Sequence, residues 1–88
     1  MCVDASGTWE SIVDCELLPA GELITISRTG ACTFSFTSSL ASGTGTVDEM
    51  NNVTIDLTTP VAATCTGSID GDLIISDCLG CVLELYRL

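Results

Sequence analysis

Two stretches of the chain alternate apolar and polar side chains with little interruption. Ile24 and Ile26 stand against Thr25 and Ser27, and Cys32, Phe34 and Phe36 stand against Thr33, Ser35 and Thr37. A period of two marks a strand with one buried face. The same rhythm recurs in Asn52 to Thr58, where Val53, Ile55 and Leu57 oppose Thr54, Asp56 and Thr58. It recurs again in Cys81 to Leu88, where Cys81, Leu83, Leu85 and Arg87 share one face. Weaker versions place strands at Thr8 to Cys15, Thr44 to Glu49, Val61 to Gly67 and Asp72 to Asp77. With Glu22 to Arg28 and Ala31 to Ser38 they complete a set of eight. No window holds the helical i, i+3, i+4, i+7 pattern for more than one turn.

Turn chemistry separates the runs. Pro19-Ala20-Gly21, Thr29-Gly30, Met50-Asn51, Thr59-Pro60, Asp70-Gly71 and Leu79-Gly80 fall between them, and Ser38 to Gly43 is a loop of small residues. Asp-Gly is a strong two-residue hairpin signal. Eight short strands without a long crossover predict an all-β, antiparallel, up-and-down eight-stranded barrel, because closure removes exposed edges. A β-sandwich is the alternative. The predicted inward set is Trp9, Val13, Ile24, Ile26, Phe34, Phe36, Val53, Ile55, Leu57, Leu73, Ile75, Leu83 and Leu85. The strands are short and the two phenylalanines bulky, so a filled core is expected rather than a ligand-lined cavity.

A chain of 88 residues is one domain, 1–88, with a marginal core. Its six cysteines, Cys2, Cys15, Cys32, Cys65, Cys78 and Cys81, supply the missing stability as disulfides. Zinc is the rival reading. Cys78-x-x-Cys81 is ligand-like, but there is no His and no second Cys-x-x-Cys. A redox-active 78/81 pair is also disfavoured, because it does not open a helix in a βαβ unit. Disulfides imply an oxidising address, secreted or at the cell surface or periplasm.

Twelve acidic residues against Arg28 and Arg87 give a net charge of −10. That balance opposes nucleic acid and anionic membranes, and it favours solubility or the attraction of cations or a basic protein partner. No apolar run is long enough to span a bilayer, and no signal-peptide pattern opens the chain. An extracytoplasmic protein of this kind reads as a mature chain beginning at Cys2, with Met1 added. Cys2 is then either disulfide-paired or, as in bacterial lipoproteins, the site of a lipid anchor. Pairing is favoured because it makes the cysteines even.

Gly7-Thr8-Trp9 opens the first strand and Arg87 ends the last. This pair resembles the calycin superfamily, and the layout is similar to small lipocalin-like or META-like domains of bacterial lipoproteins. The resemblance implies a barrel in which Trp9 packs beside Arg87 and the last strand lies against the first. A guanidinium over an indole contributes about 0.5–2 kcal/mol. If Trp9 faces Arg87, antiparallel register also places Cys15 opposite Cys81, which predicts a Cys15–Cys81 clasp. Such a long loop, once closed, contributes roughly 4 kcal/mol in the chain-entropy model. Cys65–Cys78 across the Asp70-Gly71 hairpin and Cys2–Cys32 are the next pairings; Cys32 with Cys65 or Cys78 is the alternative. The chain is shorter than a typical lipocalin and shows no helix, which again argues for a filled interior.

Catalytic patterns are sparse. Without His or Lys there is no Ser–His or Cys–His pair, and no phosphate-binding loop or nucleophile elbow is present. Asp48/Glu49 and Asp70/Asp72 are carboxylate pairs at turns and read as solvated turn residues. Asp70-Gly71-Asp72 lacks the further oxygen ligands of a calcium loop. Asn52-Val53-Thr54 matches the N-glycosylation acceptor pattern. The expectation is a non-catalytic, lipocalin-like binding module without cofactor, for a small apolar ligand or a protein partner. Recognition would lie in Ser38 to Gly43 and Glu16 to Gly21. The alternative is a structural or interaction protein, an adhesin or assembly subunit, with a solid core. A protease-inhibitor-like or effector domain is a weaker third reading, by fold analogy.

Overall fold

The computed structural model describes residues 2–15 and 18–88. Its strands are β1 (Gly7–Ser11), β2 (Leu23–Arg28), β3 (Thr33–Thr37), β4 (Ser42–Val47), β5 (Asn52–Thr59), β6 (Ala63–Asp70), β7 (Leu73–Cys78) and β8 (Cys81–Arg87). Each pairs antiparallel with the next, and β1 pairs with both β2 and β8, so the sheet closes. The eight-stranded barrel is therefore the fold, and the sandwich alternative is set aside. No helix among the described residues is long and apolar enough to cross a membrane.

Closure follows the expected register. Trp9 faces Arg87 and Ser11 faces Leu85 across the β1–β8 seam. Cys15 bonds Cys81, with Cα atoms 6.1 Å apart. The ladder ends at Ser11, however, and not at Cys15. The Ile12 N–H still donates to the Glu84 carbonyl at 3.0 Å, after which the chain leaves the strand and the disulfide alone ties it to β8. Cys65–Cys78 joins β6 to β7 and Cys2–Cys32 ties the amino-terminal segment to the β2–β3 loop. A thioether-linked lipid on Cys2 would need that same sulfur. All six cysteines are thus paired, and three disulfides are the chemistry of an oxidising, extracytoplasmic compartment.

Three other expectations are corrected. In β7 the buried positions are Ile74, Ser76 and Cys78, while Ile75 is exposed and Leu73 half-buried, so the predicted phase is inverted. Val13 is half-buried in the segment after β1 rather than on a strand. β4 begins at Ser42, so Gly43 belongs to a strand and not to the loop before it. A smaller shift occurs at the β6–β7 turn, whose two central residues are Gly71 and Asp72, with Asp70 facing Leu73.

The other predicted core residues face inward. Trp9, Ile24, Ile26, Phe34, Phe36, Val53, Ile55 and Leu85 are buried, and Leu57 and Leu83 pack against them. Phe34 pairs with Gly45 and Phe36 with Gly43 across β3 and β4. A Cβ on Gly45 would fall on the Phe34 ring, and one on Gly43 would sit 2.9 Å from Phe36. The two rings therefore lie against glycine backbone on the wall instead of crossing the barrel axis.

Candidate functional site

Strand direction divides the connections between two ends. The amino-terminal segment and the β2–β3, β4–β5 and β6–β7 turns gather at one end. The β1–β2, β3–β4, β5–β6 and β7–β8 connections gather at the other.

The first end is closed. Trp9 is 0% exposed, and Ala5, Val47, Val53 and Ile69 are buried there with it. The indole N–H donates to the Ala5 carbonyl at 2.9 Å. The Arg87 guanidinium lies 4.5 Å from the Trp9 ring centroid. It donates to the carbonyls of Asp4, Ser6 and Gly71 at 2.9–3.1 Å. Its Nε forms an ion pair with Asp72 at 3.0 Å, without hydrogen-bond alignment. Gly7, at φ +136°, lets the Arg87 stem pass, since a Cβ there would meet Cδ at 3.3 Å. Arg87 thus lies over the Trp9 ring and against Gly7 at this end of the barrel.

The second end is open, and behind it the barrel holds a cavity of about 320 Å³. This overturns the filled core. Ile26, Phe34, Phe36, Ile55 and Leu57 form one wall, and Ile74, Leu83 and Leu85 the other. The Cys15–Cys81 and Cys65–Cys78 disulfides line it between them. Leu18, Ser38, Ala41, Val61 and Leu79, one or two from each connection, surround the mouth. Among the described residues Ser38 brings the one hydroxyl of the lining. It accepts from the N–H groups of Leu40 and Ala41 and donates to the Ala41 carbonyl, so its hydrogen bonds are spent locally. The Glu22 carboxylate accepts from the Ser39 N–H and hydroxyl, joining two of the mouth connections.

The rim is apolar as well as the interior. Leu79 is 65% exposed, Leu40 48% and Val61 45%. Leu79 and Gly80 have φ of 51° and 81°, the signature of a type I′ turn. Asn or Asp is favoured where Leu79 stands, because left-handed backbone costs a leucine about 1–2 kcal/mol. A branched apolar side chain is thus held in solvent, in a disfavoured conformation, at the mouth of an apolar cavity.

The other candidate residues have local roles. Asp48 Oδ1 accepts from the Met50 and Asn52 N–H groups and Oδ2 from the Asn52 side-chain amide. Those bonds, the Asn52 side chain first, hold its carboxyl below the usual range. Asp72 belongs to the Arg87 network, and Asp70 pairs in the β6–β7 ladder. Asn52 is exposed at the start of β5. Of the two recognition loops, the small-residue loop gives Ser38 and Ala41 to the rim; the second includes Glu16 and Leu17, which lie outside the described residues. Val61, Leu79 and Ile74 were not read as site residues from the sequence, although the parity of Cys78 places Ser76 and Ile74 on its own face. No family model, curated protein or solved structure matches the chain.

Proposed function

We propose that this protein is a non-catalytic, calycin-like binding module that takes a small apolar ligand into the open end of its barrel. The observation that carries the reading is the apolar cavity of about 320 Å³, within the size range of small-molecule pockets. An exposed aliphatic rim around it supports the same reading, because such a patch has no packing role in the isolated chain. The three disulfides support a secreted or surface location, where a rigid small scaffold meets its ligand outside the cytoplasm.

Cavity filling tests this. An environment-sensitive apolar dye should bind the protein with one site and brighten. Ala41→Phe, at a buried position bordering the void, puts a ring into the mouth and should weaken binding at least about tenfold, the loss of one well-buried apolar contact, while a cooperative urea transition and intact disulfides show that the variant still folds. Equal dye binding by both proteins would overturn the cavity as the site.

A further inference from the structure

The two cationic side chains are distributed between the ends as unevenly as volume. The chain has two cationic side chains, Arg28 and Arg87, and no Lys or His. Arg28 ends β2 and Arg87 ends β8, so both stand at the closed end. Both are also occupied. Arg28 donates to the Gly30 and Ala31 carbonyls and lies 4.0 Å from Asp4. Arg87 is committed to Asp72 and three carbonyls.

Among the described residues the charged side chains at the open end are carboxylates. Asp14 precedes the cavity-lining Cys15, and Asp77 stands on the outer face of β7 next to the cavity-lining Cys78; both are exposed. Glu22 lies at the mouth against Ser39. Among the described residues the lining offers no unspent side-chain donor, since Ser38 is used within its own turn. A ligand carboxylate or phosphate would therefore find neither a cation nor a hydroxyl, and it would meet the field of a chain carrying −10. Ligand size follows from volume. A dry apolar cavity of about 150 Å³ holds benzene, so about 320 Å³ accommodates roughly twelve carbons.

Resting on the apolar-ligand reading, we propose that the occupant is a single-chain amphiphile with a cationic head, an alkylamine or alkylammonium. Its tail fills the barrel, and its head stays in water among the mouth carboxylates.

Binding of three twelve-carbon probes at monomeric concentrations tests this: dodecyltrimethylammonium, dodecanol and dodecanoate, by calorimetry at 10 mM and 1 M NaCl. At low salt the ammonium should bind at least about tenfold more tightly than dodecanoate, with dodecanol between them. At 1 M salt the three should converge, because the screening length falls from about 30 Å to about 3 Å. Ala41→Phe should weaken all three. Dodecanoate binding as tightly as the ammonium at low salt would overturn the head-group assignment and leave apolar binding standing. Failure of all three to bind would overturn both. Ammonium binding that survives Ala41→Phe would be adsorption to the acidic surface and would also overturn the proposal.

Discussion

The two ends of this barrel are built from opposite materials. At the closed end a buried indole, a guanidinium and a chain of carbonyls satisfy one another, and the amino-terminal segment is held down by Cys2–Cys32. At the open end, leucines and a valine stand in water around a void, held by disulfides and a Glu22–Ser39 staple. One end is ordered by a side-chain hydrogen-bond network and dense packing beside a single disulfide, the other chiefly by two disulfides around a void. A small chain can keep an unfilled interior because the disulfides at the mouth constrain the unfolded state and do not require the mouth to be packed.

The closed end depends most on Trp9. Trp9→Ala removes the largest fully buried side chain and leaves Arg87 without its aromatic face. Truncation of a buried aromatic costs about 3–5 kcal/mol, a large part of a small domain's stability. Urea denaturation should show the variant mostly unfolded or shifted by that amount, with the disulfides intact. A loss below about 1 kcal/mol would mean that the closed end is not where the fold is held.

Much of the closed end was legible in the sequence and much of the open end was not. The Trp9–Arg87 register, set at the closed end, points along both strands to Cys15 and Cys81 at the mouth, although the ladder itself stops at Ser11 and Leu85 and the disulfide completes the approach. The phase of β7 was harder to read. Leu73, Ile74 and Ile75 are three consecutive apolar residues, so alternation does not choose between faces, and only the cysteine at 78 marks the inward parity. The cavity depends on small inward residues more than on large ones. Gly43 and Gly45 draw the Phe36 and Phe34 rings onto the wall. A list of bulky apolar positions cannot reveal space left by missing side chains, so the interior reads as filled.

The opposite sign is expected at the mouth. Leu79→Asn puts the residue that a type I′ turn favours at a left-handed position and removes an exposed leucine. Relief of backbone strain should stabilise the protein by about 1 kcal/mol, raising the urea midpoint, while the affinity for an apolar dye falls severalfold. A variant that is less stable would show that Leu79 packs against the fold, and that the rim is part of the core.

The smallest effect separates the ends by pH. Asp4 and Asp48 both lie at the closed end, and both carboxyls are held below their ordinary value of 3.8. The Ser6 N–H is the first cause for Asp4, and the Asn52 side chain is the first for Asp48. A carboxyl depressed in the folded state contributes stability above its unfolded pKa, and that contribution is lost as pH falls through the folded pKa. Both groups are exposed, so the loss is modest and confined below about pH 4. Amide exchange should accordingly rise first in residues 4–6 and 48–52 as pH drops from 5 to 2, after correction for intrinsic rates. The Cys15 and Cys81 region should keep its protection, because its tie is covalent and carries no proton. Asp48→Asn should flatten the response in 48–52 alone. If acid instead loosened the mouth first, the division between an end held by titratable hydrogen bonds and a mouth held chiefly by two disulfides would not stand.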